Sequence, residues 1–144
     1  MSLLKIARTP PVTVLPDTSV EDVVALMIEE RAGAVVVVEK QCPDGIFTAR
    51  DLLKRVAGKQ LDMTSTPVSS VMTSPVKVVN EATSGKEALA IMVSNKFHHL
   101  VLVNDSCHVL GMVSTTRLLH NIVEDLTGEL DSLDAYICAD GPGG

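Results

Sequence analysis

Displaced by 65 residues, this sequence falls into register with itself. Residues 9 to 38, TPPVTVLPDTSVEDVVALMIEERAGAVVVV, align without a gap with residues 74 to 103, SPVKVVNEATSGKEALAIMVSNKFHHLVLV. Eight of the thirty pairs are identical, among them Thr18/Thr83, Ser19/Ser84, Met27/Met92 and Val36/Val101. Ordinary composition would give about two. One inserted residue further on, GIFTARDLL (45 to 53) meets GMVSTTRLL (111 to 119), with Asp51 in the first phrase and Arg117 in the second. The chain is an internal duplication, so whatever one copy folds into the other must fold into as well.

Each copy predicts the same elements. Ser19 with Asp22, and Ser84 with Glu87, have capping-box spacing. In the helix that follows, Val20, Val23, Val24, Met27 and Ile28 form one apolar stripe, while Glu21, Glu29 and Glu30 fall elsewhere. Next come Val35 to Val38 and Leu100 to Val103, apolar at every position and therefore expected to be strands covered on both faces. The turn residues Pro43-Asp44-Gly45 predict a hairpin to a second strand of about three residues, with a second helix opening after Thr48 or Ser114. Each unit thus reads as strand, helix, strand, strand, helix. A unit of about 55 residues buries only about 60% of its unfolded surface, so two copies packed sheet against sheet are expected.

Composition narrows the function. With 2% aromatic residues, no Trp and a net charge of −6, the chain offers neither a basic face nor rings for stacking bases, so nucleic acid is not an expected partner. The longest apolar run, AGAVVVV, is far too short to span a membrane, and the first residues do not read as a signal peptide; a cytoplasmic protein without a membrane partner is expected. Cys42, Cys107 and Cys138 lack C-x-x-C spacing and are expected to be reduced and structural.

The repeated order of these motifs resembles the CBS domain family, in particular the tandem pair known as a Bateman module. The resemblance implies an α+β fold of two β-α-β-β-α repeats with pseudo-two-fold symmetry and two clefts between them. The boundaries expected are a first repeat with its entering segment at 5 to 61, a linker at 62 to 70 and a second repeat at 71 to 127. The remainder, 128 to 144, is an acidic tail expected to be flexible. The family commonly binds adenosine compounds (AMP, ADP, ATP or S-adenosylmethionine) in such clefts to regulate an attached or associated effector protein, and its modules commonly pair into homodimers.

Carried onto this sequence, the resemblance implies a ribose contact at Asp51 assisted by Thr48, with a carboxylate able to accept both vicinal hydroxyls. The competing reading of Thr48-x-x-Asp51 is a plain helix cap. Ser114-x-x-Arg117 keeps the cap hydroxyl but places a cation where the helix dipole disfavours one, by about 0.3 to 1 kcal/mol. Arg117 cannot make the ribose contact; it either fills its cleft, with Met112 and Ser114, or binds an anion. His98 and His99 are implied to reach the phosphates of the nucleotide held by Asp51, against a reading as an ordinary strand start. The Arg117 cleft is implied to receive only Gly33 and Ala34 at the equivalent positions. Ile46, Ala32, Gly33 and Ala34 are implied to form the adenine slot of the Asp51 cleft, with aliphatic rather than aromatic walls, and Ala7, between Ile6 and Arg8, to close it.

Three classes of function follow. The first is a regulatory sensor of AMP, ADP or ATP, with His98, His99 and Lys96 favouring phosphate over the sulfonium of S-adenosylmethionine. The second is a ligand-free dimerisation module. An enzyme is the third, and no G-x-S-x-G, Walker A or Cys/His nucleophile pattern supports it. No catalytic cofactor is expected. A metal site from His98, His99, His108, His120 and Cys107 matches no familiar ligand spacing.

Overall fold

The computed structural model describes the backbone of residues 3 to 137 and the side chains of residues 3 to 127. A short α1 (Leu3–Ile6) precedes the first copy, which runs β1 (Thr13–Val14), α2 (Val20–Glu29), β2 (Ala34–Glu39), β3 (Cys42–Thr48) and α3 (Ala49–Asp51). A π-helical stretch, Leu52–Ala57, continues α3, and a 3-10 turn at Val68–Ser70 lies in the connection. The second copy runs β4 (Val78–Val79), α4 (Gly85–Asn95), β5 (His99–Val103), β6 (Val109–Ser114) and α5 (Thr115–Ile137). Each copy forms its own three-stranded sheet with the same topology, the first strand parallel to the second and the second antiparallel to the third.

Strand alternation divides the apolar residues between three cores. On β2, Val35 and Val37 join α2 in the core of the first copy, whereas Ala34 and Val36 face the other way. On β5, Leu100 and Leu102 join α4 and Leu118, whereas Val101 and Val103 face the other way. The outward set of both copies, with Ile46 and Met112, forms the third core between the sheets. Sheet-against-sheet packing is thus what makes these strands apolar at every position.

The helix starts use the residues the spacing marks. Ser19 accepts from the Asp22 amide at 3.2 Å and Ser84 from the Glu87 amide at 3.1 Å, occupying amides a helix start leaves without partners. On α2 the buried stripe is Val20, Val23 and Met27; Ile28, expected to share it, is 73% exposed. The hairpin also differs. Its turn is Lys40–Gln41, both at positive φ, so Pro43-Asp44-Gly45 lies inside β3, where the register shifts opposite Val37 and Val38, and the strand has seven residues rather than three. Over 128 to 137, where a flexible tail is expected to begin, the backbone continues as helix α5; 138 to 144 and Cys138 lie outside the described residues.

The connections cross over. Leu3, Ile6 and Ala7, which sequence order groups with the first copy, pack into the core of the second. Val68 and Val71, placed by sequence in or beside a linker, pack into the core of the first. Arg8 pairs with Met112 through two backbone hydrogen bonds of 2.9 and 3.2 Å, and Thr73 pairs with Ile46 through two of 2.8 and 3.0 Å. Each segment entering a copy therefore lies along the last strand of the other.

That crossing explains why the repeated phrase begins with glycine. A Cβ on Gly111 would stand 2.9 Å from the Arg8 carbonyl oxygen, and one on Gly45 2.9 Å from that of Thr73, with the Met72 sulfur closer still. Both glycines leave room for the other copy's entering strand, which carries a side chain into each cleft.

Candidate functional site

Two cavities open between the copies. The first, about 290 Å3, is lined by Ile46, Thr48, Asp51, Thr73, Phe97 and both histidines, with Arg50 and Lys96 at its edge. The second, about 140 Å3, is lined by Arg8, Arg31, Ala32, Ala34, Met112, Ser114 and Arg117. Gly33 and His99 line both, so the two cavities adjoin there.

Asp51 is the buried charged residue of the described chain, 7% exposed. The first helical turn holds it: its Oδ2 accepts from the Thr48 amide at 3.1 Å and the Thr48 hydroxyl at 3.2 Å, while the Asp51 amide donates to Thr48 Oγ1 at 3.2 Å. This is a complete capping box. The Thr73 hydroxyl donates to Oδ1 at 3.1 Å and reaches Oδ2 at 3.3 Å, and the Arg55 guanidinium stands 3.6 Å from Oδ1. The plain-cap reading of Asp51 is therefore realised in full, and the carboxylate also faces the larger cavity.

In the other copy the hydroxyl cap is kept and the carboxylate is not. Ser114 accepts from the Arg117 amide at 3.1 Å, while the Arg117 guanidinium donates to the Ile6 carbonyl at 3.1 Å. That oxygen belongs to the last residue of α1, where carbonyls lack an intrahelical partner. Arg8, Thr73's counterpart in the repeat, donates to the Glu30 carbonyl at 2.9 Å and approaches its carboxylate at 3.4 Å. Among the described residues the Arg31 guanidinium has no hydrogen-bond or ion-pair partner.

The imidazoles differ from each other. His98 is exposed, and its carbonyl accepts from the Thr115 amide at 2.9 Å; Gly33, its counterpart, does the same for the Ala49 amide at 3.0 Å. These contacts tie the turn before each central strand to the helix start of its own copy. His99 opens β5, half-buried between the cavities, and its pKa is lowered from 6.5 first by burial and then by His98 beside it.

The structure redistributes part of the expected site. Asp51, Thr48, Ile46, His98 and His99 do converge on one cleft. Gly33 reaches both, but Ala32 and Ala34 line only the Arg117 cavity, because the segment before a central strand faces the helix start of the opposite copy at one edge and its own entering segment at the other. Ala7 lines neither cavity and is buried beneath Gly111 in the second core. The expectation of purely aliphatic walls also fails, since the Phe97 ring lines the Asp51 cavity. No motif marks Thr73, which the repeat aligns with Arg8 and which lines the Asp51 cavity. Met112, Ser114 and Arg117 line the second cavity together. Among the described residues no group of three His, Cys, Asp or Glu side chains is placed to hold a metal ion, and no helix is long and apolar enough to cross a membrane.

Two stacked three-stranded sheets with crossed entering segments and a cleft at each seam define a tandem two-copy architecture. The chain matches the CBS domain family over residues 4–58 and again over 68–124, and it belongs to that family as a tandem pair. It is 32% identical over 126 residues to CBS domain-containing protein CBSX3, mitochondrial, of Arabidopsis thaliana, covering 84% of this chain and 61% of that protein. A CBS-domain protein of Burkholderia ambifaria MC40-6 superposes with a TM-score of 0.78 at 27% identity, covering 87% of this chain and 96% of the other. The CBS domain protein PAE2072 of Pyrobaculum aerophilum, solved in complex with AMP, superposes with a TM-score of 0.74 at 22% identity over 81% of this chain and 89% of its own.

Proposed function

We propose that this chain is a regulatory module, not an enzyme, that binds an adenine nucleotide (AMP, ADP or ATP) in the cleft bearing Asp51 and reports cellular energy or metabolite state to an effector protein or through its own homodimer in the cytoplasm. The observation that carries this reading is the convergence of three unlike groups on one cavity of about 290 Å3. Ile46 and Phe97 offer an apolar slot for a base, Asp51 with Thr48 and Thr73 offers hydroxyl recognition, and His98, His99 and Lys96 offer cationic or hydrogen-bonding groups for phosphate. The AMP-bound relative in the same fold supports the ligand class.

Binding requires exchange at Asp51. The Thr48 amide is fixed by the helix start, but the Thr48 and Thr73 hydroxyls are rotors, and each can turn away from the carboxylate. Two vicinal ribose hydroxyls would then replace two donors already present, so the carboxylate stays satisfied in both states and the net gain is modest. Self-association is supported by Ile28 and Val93, at equivalent positions of α2 and α4, which are 73% and 70% exposed. The nucleotide signals only by its difference in affinity between two arrangements of the copies or protomers.

A second reading, the ligand-free assembly module, has its own supporting observation: every donor around Asp51 is already used internally. Thermal unfolding with AMP, ADP, ATP and S-adenosylmethionine separates the two. Saturating nucleotide raises the Tm of the wild-type chain and leaves that of Asp51→Asn unchanged, since the amide keeps the acceptor for the Thr48 backbone and loses the paired acceptor for ribose. No shift with any of the four compounds leaves the assembly reading in possession.

A further inference from the structure

The asymmetry between the clefts raises the question of what the cationic one is for. At about 140 Å3 it is half the size of its neighbour and below the range usual for pockets that enclose whole small molecules. Three arginines line it, Arg8, Arg31 and Arg117; the Arg8 guanidinium also reaches Glu30 and the Arg117 guanidinium the Ile6 carbonyl, both at its margin. Guanidiniums offer only donors, in a fork that matches phosphate oxygens. Nothing in this cavity resembles the ribose acceptor opposite. It also does not stand apart, because Gly33 and His99 form the wall of both cavities. A Cβ at Gly33 would meet nothing within 4 Å, so the passage beside it is open.

We propose that the two cavities form one composite site for a nucleoside polyphosphate: the nucleoside lies in the Asp51 cleft, and its phosphate chain crosses Gly33 and His99 to end among Arg8, Arg31 and Arg117. This rests on the adenosine reading of the Asp51 cleft and adds the ligand's length to it. The arginines that remove a second ribose site then serve the first. Arg31 is the free recognition group. Arg8 and Arg117 are already held in place by the Glu30 and Ile6 carbonyls, and a guanidinium with five donors keeps others for an anion. A nucleoside monophosphate fills the first cavity only. The site therefore discriminates by phosphate number, with the base and ribose contributing equally to every ligand.

Calorimetric titration of the full chain with AMP, ATP and inorganic tripolyphosphate tests this. ATP binds about tenfold or more tightly than AMP, the effect of one added charge-assisted hydrogen bond of about 1.5 to 3 kcal/mol, with one ATP per chain. Arg31→Asn, which tolerates the positive φ of that position, reduces the ATP advantage and leaves AMP affinity unchanged. Arg117→Ala does the same, and its Tm reports separately on the lost Ile6 contact. Tripolyphosphate competes with ATP but not with AMP. Equal affinities for AMP and ATP, two ATP molecules per chain, an Arg31→Asn that weakens AMP as much as ATP, or tripolyphosphate that leaves ATP undisturbed each overturns the composite site. In all of these, AMP binding lost in Asp51→Asn keeps the adenosine reading standing; absence of any nucleotide binding removes both.

Discussion

In the first cleft a carboxylate occupies the third position of its helix start, and in the second a guanidinium occupies the same place. The hydroxyl before each accepts the same backbone amide, at 3.2 Å for Thr48 and 3.1 Å for Ser114. Around them the substitutions run one way: Thr73 faces Asp51 where Arg8 faces Arg117, and Lys96, His98 and His99 stand where the other copy has Arg31, Gly33 and Ala34. The fold fixes the cap hydroxyl and the glycine beneath the entering strand, because both serve backbone geometry. It leaves the third position free, since an amide is capped whichever side chain that position carries. Duplication thus supplied two copies of a scaffold, and the charges were placed independently on each.

The strongest way to break this comparison is at Asp51. With nucleotide at about 100 times Kd, the wild-type chain gains about 2.7 kcal/mol, whereas Asp51→Ala gains none, and its unliganded form loses about 0.5 to 2 kcal/mol with the capping box. Retention of the ligand-induced Tm shift in that variant would sink the division between the clefts.

Gly45→Ala and Gly111→Ala probe what the copies share. Each added methyl meets a backbone carbonyl oxygen of the crossing segment at 2.9 Å, and each variant is expected to lose about 1 to 3 kcal/mol. Chemical denaturation that finds either one neutral would show that the crossing strand yields freely. Thr73→Val is milder. It removes the hydroxyl at 3.1 Å from Asp51 at a cost of about 0.5 to 1.5 kcal/mol and frees an acceptor that ribose then takes over, so nucleotide binding is strengthened, while Arg8→Ala leaves AMP binding as it was.

The smallest effect is a pH dependence from His99. Its folded pKa lies below the unfolded 6.5, so between the two values the unfolded chain binds the extra proton. His99 is neutral in its effect above pH 6.5 and lowers stability as the pH falls from there through its folded pKa. Nucleotide affinity runs the opposite way, stronger at pH 6 than at pH 8, because a phosphate beside the imidazole favours its protonated form. The groups lining the cavities around it are His98, Lys96, Arg50, Asp51, Arg8, Arg31 and Arg117. His99→Gln should flatten both slopes; parallel slopes in wild type and variant would assign the pH dependence to other groups.

Much of the site was legible one residue at a time. The repeat marks Asp51, His98 and His99 by their asymmetry, the resemblance to the CBS family implies their roles and those of Thr48 and Ile46, and the five meet in one cavity. Phe97 lies in the same KFHHL stretch, but a composition poor in aromatics points to aliphatic walls and so gives no signal for it. Ala34 and Gly33 line the Arg117 cavity that they are implied to face, but Ala32 and Ala34 do not also reach the adenine slot, since position in a turn does not say which of two seams a side chain faces. Ile28 fits the helical period of α2 yet is exposed, because the buried arc of that helix is narrower than its apolar stripe.

By itself the sequence determined the duplication, the two sheets, the strands buried on both faces and the hydroxyl caps, all of which rest on local periodicity and on one copy having to repeat the other. Only the tertiary structure decided that Leu3 to Ala7 belongs to the second core and Val68 to Val71 to the first, and that Thr73 and Arg8 therefore sit opposite Asp51 and Arg117. Those choices depend on which sheet edge offers unpaired backbone groups and a glycine to pass over, a property of the assembled pair that no stretch of the chain contains alone.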